Sequence, residues 1–333
     1  MDWQKALSDY SQLLEGYPNA KRFAQALRGN IEQNVPSQAD FESPEAMSQW
    51  SQSAALNAPM GLMFMGKSAK LAPLEKYNEA EQLISEKYPY FSKVPVGTGA
   101  WHNINKDIHS QTGIHYGVDM KPRHEISDDK SFLYLNGPKY GNSFIENPLN
   151  EALKHQDVYS NYPFISEIPL SYENKIGTEG GGKLTEAFDP DTYETSYKLI
   201  LNKSNSPRNK ETLIHEIQHA IQQAEGFESG GSAKHIEQNA ENYIPKSKRE
   251  FIKSTQSYLD VPDFDKNAWL RKKAIDLLRS PYDAYMKLAG EAEARATTQR
   301  MNMTPEERAS TYPFENYDIP ANELIVRSQL RNK

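Results

Sequence analysis

His215-Glu216-Ile217-Gln218-His219 decides how this 333-residue chain reads. On a helix the two imidazoles stand one turn apart with a carboxylate beside the first. Neutral imidazoles at i and i+4 can bind one Zn2+ at about 2.0–2.1 Å and leave room for a third protein ligand and a water. The flanks carry helix signals. Ser206-Pro207 fits an N-cap followed by proline at the first helical position, where the missing N–H costs nothing. Leu213, Ile217, Ala220, Ile221 and Ala224 recur at three- and four-residue spacing and form one apolar stripe. At about 100° per residue, His215 and His219 fall opposite that stripe, together with Gln218 and Gln222. Gly226 supplies a helix stop, and Gly230-Gly231 marks a flexible turn beyond it. The spacing therefore predicts a helix of about five turns, anchored by its apolar stripe, with the imidazoles facing a cleft.

Residue chemistry assigns the roles. Zinc at such a pair lowers the pKa of a coordinated water towards 7. Glu216 is placed to accept that water's proton and pass it to a leaving amine, as general base and acid and not as a ligand. The bland alternative is a helix with two solvated histidines and an ordinary surface glutamate. The rarity of the pattern among eight histidines, and the clean separation of the two faces, weigh against it.

Three residues compete as third ligand. Glu225 lies ten positions after His215, where one class of zinc peptidases carries a third histidine after a helix-ending glycine. That glycine position is Gln222 here, so the helix continues and puts Glu225 about 10 Å along and roughly 100° off the histidine face. Gly290-Glu291-Ala292-Glu293-Ala294-Arg295 reads as part of a second helix, opened by Ser280-Pro281 with Asp283 in its first turn. A carboxylate from a packed second helix completes a His-His-Glu site, and Gly290 with the alanines lets backbones approach closely. Glu291 and Glu293 point about 200° apart, so only one can face the metal. Glu291 is favoured, which leaves Glu293 as a salt-bridged surface carboxylate.

These motifs extend beyond the site. The run 215–222, Glu225-Gly226-Phe227, Gly230-Gly231-Ser232, Gly290-Glu291 with Glu293-Ala294-Arg295, Gln299-Arg300-Met301, Thr304-Pro305-Glu306-Glu307-Arg308, Asp318-Ile319-Pro320 and Leu324-Ile325-Val326 together resemble the zincin-like module of the large polyvalent protein-associated domains. Such modules occur in large proteins of bacteriophages and other mobile elements. Residues 113–129 and 164–171 resemble it more weakly, so the likeness spans about 75–330. Around Thr311-Tyr312-Pro313-Phe314 the chain departs from the family pattern, which has two prolines and a tryptophan there. The resemblance implies a zincin-like, gluzincin-type metallopeptidase in which His215, Glu216, His219 and one of Glu291 and Glu293 match the functional positions. Without a secretory signal the expected setting is a host cytoplasm or a phage particle, with a virion or host-protein partner reached through the N-terminal arm.

Composition narrows the remaining classes. A net charge of −7, without a basic run to neutralise phosphates, argues against nucleic-acid binding. The densest basic cluster, 246–249, reads as a solvated helix face. With no cysteine in the chain, thiolate ligands, disulfides and cysteine catalysis are excluded. Met1-Asp2-Trp3-Gln4-Lys5 lacks the basic region and apolar run of a secretory signal. The apolar stretch 54–65 contains Pro59 and Gly61 and is too short to span a bilayer. Its methionines suit either core packing or an adaptable docking surface, and core is the commoner use.

The expected organisation is an α+β, zincin-like domain over 75–333, in which a mixed sheet packs on the His215–His219 helix, preceded by an N-terminal helical arm and linker over 1–74. Pro-rich 36–44 reads as the linker. A helix over 74–87 and strands at 114–120, 131–135, 165–172 and 197–201 are expected, with 180–182 as a mobile glycine loop. Trp269, Leu270, Ala274, Ile275 and Leu278 are spaced as a core-facing stripe. His235 follows the glycine turn without a partner at ligand spacing, and His102, His109, His115, His124 and His155 suit ordinary surface or hydrogen-bonding roles. Tyr282 and Tyr285 are candidate oxyanion stabilisers. The function expected is zinc-dependent hydrolysis of a protein or peptide substrate. The competing class is a non-catalytic structural or interaction protein in which zinc pins two helices. A toxin or anti-defence protease would share the chemistry and differ in target.

Overall fold

The computed structural model describes residues 74–134, 147–173, 181–189, 194–202, 209–256 and 265–330. Residues 1–73 of the expected arm, with its linker and the 54–65 stretch, lie outside these, as does the Ser206-Pro207 cap. The described chain is α+β. Helices α1 (Leu74–Lys87) and α2 (Gly99–Thr112) lead into an antiparallel hairpin of β1 (Ile114–Tyr116) and β2 (Pro122–His124). Next come β3 (Phe132–Leu133), β4 (Asn147–Pro148), α3 (Leu149–Ala152) and β5 (Leu153–Lys154), with β3 and β5 paired antiparallel. Short α4 (Gln156–Asn161) and α5 (Pro163–Ser166) precede β6 (Pro169–Glu173), β7 (Gly182–Asp189) and β8 (Glu194–Asn202). The rest is helical: α6 (Asn209–Ala224), α7 (Ala233–Gln238), α8 (Lys246–Gln256), α9 (Lys266–Leu278), α10 (Pro281–Met286), α11 (Ala289–Arg300), α12 (Pro305–Ser310) and α13 (Arg327–Leu330). Among the described residues no helix is long and apolar enough to cross a membrane.

A four-stranded mixed sheet runs β4-β6-β8-β7, with β6 parallel to β8 and the other pairs antiparallel. Helix α6 covers this sheet. Its stripe of Leu213, Ile217, Ala220 and Ile221 shares one core with Leu170, Leu199 and Leu201 from the strands. Each such side chain contributes about 1.5–3 kcal/mol by leaving water, so the stripe fixes which face of α6 turns away from the sheet. On that other side lies α11. A second core of Trp101, Ile108, Ile114, Tyr116 and Val118 takes in Ala289 of α11 and Val326, and so ties the β1–β2 hairpin to α11 and the C-terminal segment.

Several elements differ from the sequence expectation. The strand expected over 114–120 stops at Tyr116, because Gly117 to Lys121 form a turn with Met120 at φ 61°. Of the strand expected over 131–135, Phe132–Leu133 form β3, and Leu135 lies outside the described residues. Ile165 and Ser166 belong to α5, started by Pro163, so that strand begins only at Pro169. Strand β8 contains the expected 197–201 and runs longer on both sides. Gly182, expected in a mobile loop, opens β7. A Cβ there would sit 2.5 Å from Thr212 Cγ2, so glycine lets the strand lie close to α6. The helix expected from Ser280 through Arg295 is two helices. Ser280 caps α10 by accepting from Asp283 N, but the chain breaks at Lys287-Leu288, where Ile325 N donates to Lys287 O and Ala289 N donates to Ile325 O. That β-bridge to the C-terminal segment starts α11 afresh and puts Glu291 in its first turn.

Candidate metal centre

Three candidate ligand side chains, His215, His219 and Glu291, converge where α6 meets α11. His215 Nε2 and His219 Nε2 are 3.2 Å apart. Glu291 Oε2 lies 3.4 Å from His215 Nε2, and Glu291 Oε1 lies 3.4 Å from His219 Nε2. Corners of a tetrahedron with bonds of about 2.0–2.1 Å are about 3.3 Å apart, so the two imidazole nitrogens, and each of them with one Glu291 oxygen, are spaced as neighbouring ligands of one metal would be. Glu291 is only 2 % exposed, and its Oε1 accepts from Gly231 N at 2.9 Å. Its Oε2 is buried with no hydrogen-bond partner among the described residues. A carboxylate oxygen left so is expensive, and a divalent cation between it and the imidazoles would satisfy it. The residues present fit zinc.

The charges in the site are strongly coupled. Burial raises the Glu291 carboxyl, but the His215 and His219 rings outweigh it and hold the group far below the usual carboxylate range. Burial lowers His219, yet hydrogen bonding and charge from Glu291, with Glu216 and Gln222, push it up to about 9. The position of Glu291 in the first turn of α11 adds the favourable end of the helix dipole.

Helix α6 ends as the glycine predicts: Gly226 takes φ 65° and Phe227 N reaches back to Gln222 O at 2.7 Å. The glycines that follow serve close approach, not flexibility. A Cβ on Gly230 would fall 2.2 Å from Glu291 Oε1 and 2.4 Å from His219 Cε1, and one on Gly290 would strike the backbone of 228–230. Glu228 fastens this loop by accepting from Arg327 N at 3.0 Å and Ser328 N at 3.1 Å, which caps α13. The C-terminal segment thereby buttresses the turn whose Gly231 holds Glu291.

Glu216 points from α6 towards the edge strand. It is 8 % exposed, and its Oε2 accepts from Leu184 N at 2.7 Å. That N–H belongs to β7, so one carboxylate oxygen is tethered by backbone. Of the two candidate tyrosines, Tyr282 is 55 % exposed. Tyr285 is beside the site: burial, with the charges of Glu291 and Glu216, pushes its phenol well above its ordinary value and keeps it a proton donor.

The other candidates lie elsewhere. Glu293 pairs with Arg123, its Oε1 3.2 Å from Arg123 Nε, and Arg123 also binds Asp119 and stacks 3.9 Å over the Phe227 ring. Its carboxylate is buried, contrary to the expected surface salt bridge. Glu225 accepts from the Tyr162 hydroxyl at 2.7 Å, and burial raises its carboxyl. His235 sits in α7 against Tyr243. His155 has the hydrogen-bonding role expected, bonded to Asp128 at 2.7 Å, and it, His109 and His115 are buried. Sequence reading missed Leu184, since a backbone donor on an unforeseen strand leaves no residue-type signal. It missed the tie from Gly231 as well. Comparison with family models, curated proteins and solved structures finds no match to this chain.

Proposed function

We propose that this chain is a zinc-dependent peptidase of zincin-like architecture. The observation that carries the reading is the convergence of His215, His219 and Glu291, whose ligand atoms lie within 4.8 Å of one another, with Glu216 next to His215 on the same helix. The motif resemblance of the last third of the chain supports the same reading. His215, His219 and Glu291 would hold the metal, three ligands leaving one corner open. When bound, zinc supplies a Lewis acid for a carbonyl oxygen and lowers the pKa of a water in its remaining position. Glu216 takes a proton from the attacking water and delivers it to the departing nitrogen. The Leu184 N–H keeps that carboxylate from swinging away. Tyr285 donates to the carbonyl oxygen as it gains charge. Strand β7 stands at one end of the described sheet order, which gives an extended peptide a strand edge to pair with on the side that holds Glu216.

A second reading has its own support. The ligands come from two packed helices, so zinc would also pin α6 to α11 and act as a structural clasp in a phage or mobile-element protein. Metal analysis and proteolysis assays separate the two. Purified without chelators, the wild type should carry about one zinc per chain, lose it on Glu291→Ala, and cleave an unfolded protein substrate in a chelator-sensitive, zinc-restored manner. Stoichiometric zinc with no cleavage of any peptide pool would favour the clasp.

A further inference from the structure

We infer that Gln222 is a positioning residue that fixes His219 in its Nδ1–H form and so aims the Nε2 lone pair into the metal centre; the inference rests on the zinc reading for its purpose and on hydrogen-bond geometry for its content. Gln222 is fully buried, one turn after His219 on α6. Its Nε2 lies 2.8 Å from Gly290 O. A carbonyl oxygen can only accept, so the amide must turn its nitrogen to Gly290. Its oxygen is then the atom 2.9 Å from His219 Nδ1. That oxygen in turn can only accept, so Nδ1 carries the proton. The Nε2 lone pair is left facing His215 Nε2 and Glu291 Oε1.

The same amide joins two ligands. Gly290 directly precedes Glu291, so one side chain sets the ring of the second ligand and the backbone of the third. The Gln222 nitrogen also lies 3.5 Å from Glu293 Oε2, which favours a donor there. Methionine of similar length would leave His219 Nδ1 without its acceptor in a fully buried place and remove the side-chain donor from Gly290 O. Glutamate would keep the acceptor for His219 but set its charge against Gly290 O and Glu293.

The test combines nitrogen NMR of histidine-labelled full-length chain with metal titration of Gln222→Met and Gln222→Glu. In the wild type loaded with zinc, or with cadmium-113 as a spectroscopic probe, His219 should be metallated at Nε2 with the proton on Nδ1. Gln222→Met should weaken zinc binding by roughly 10–100-fold, with unchanged circular dichroism, and Gln222→Glu should recover much of the loss. Metal on Nδ1, or a methionine variant that binds zinc as tightly as the wild type, overturns the inference. If the wild type takes up no metal, the zinc reading fails by itself. The tautomer is then read in metal-free protein at a pH where the nitrogen spectrum shows the His219 ring neutral: a proton on Nδ1 upholds the assignment to Gln222 and a proton on Nε2 overturns it. Should the methionine variant not fold, the wild-type spectrum and the glutamate variant decide.

Discussion

His215 Nε2 and His219 Nε2 lie 3.2 Å apart on adjacent turns of α6, with Glu291 Oε2 3.4 Å from the first. Two imidazole lone pairs at that distance repel unless a cation stands between them, and here the cation is a proton or a metal. If the site holds zinc as proposed, the metal and protons compete for it.

The competition has a sign. In metal-free protein His219 is raised from its ordinary 6.5 to about 9, so its stabilising contribution is complete below about 6.5 and disappears as pH rises through about 9. Glu291 is depressed, so its contribution is present above its ordinary 4.5 and disappears as pH falls towards its much lower folded value. Metal-free protein should thus melt highest between these limits. Zinc must displace the His219 proton, so at pH 7 to 8 uptake should release about one proton per metal and tighten as pH rises. Calorimetry in buffers of different ionisation enthalpy measures that number; zero proton release would contradict the coupling.

Glu291 and Glu293 should separate cleanly. Glu291→Gln is expected to abolish zinc binding. Glu293→Gln should keep the zinc but destabilise the fold by about 1.5–3 kcal/mol, because buried Arg123 loses one of its two carboxylate partners and keeps Asp119. Urea unfolding with and without zinc distinguishes them, and a Glu293→Gln protein as stable as the wild type would contradict the assignment.

Gly230 gives a test that alters no ligand. Its substitution by alanine puts a methyl group against Glu291 Oε1 and His219 Cε1, which should weaken zinc binding at least tenfold with little change in secondary structure. Metal titration followed by circular dichroism reads both. Unchanged affinity would mean the loop stands further off than the geometry has it.

Leu184 contributes through its backbone. Leu184→Pro deletes the N–H that holds Glu216 without removing a β7–β8 bond, since that N–H turns to α6. Zinc affinity should be kept while kcat falls about tenfold, an amount near 1.4 kcal/mol. A rate equal to that of the wild type would show that Glu216 needs no tether.

Much of this was legible in the sequence for a local reason. The two histidines sit about one helical turn apart, so their common face follows from the 3.6-residue period alone. Glu291 was legible because Gly290 and its alanines announce close helix contact. What was hidden depends on distant partners. The break at Lys287-Leu288 is imposed by Ile325, far along the chain. Strand β7, Gly182–Asp189, lacks strict alternation of apolar and polar residues, and its place beside Glu216 follows from the sheet order. Gln222 lay on the histidine face by periodicity, but only the position of the Gly290 carbonyl reveals which end of its amide meets His219.

The most direct measurement is peptide-bond hydrolysis by zinc-loaded wild type beside Glu216→Gln at equal zinc content, followed by mass spectrometry of the products. Cleavage by the wild type and a rate lower by roughly 10²–10⁴-fold in the variant is the expected result. Full activity in Glu216→Gln would contradict the role of Glu216 as the proton carrier, and with it the proposed peptidase mechanism.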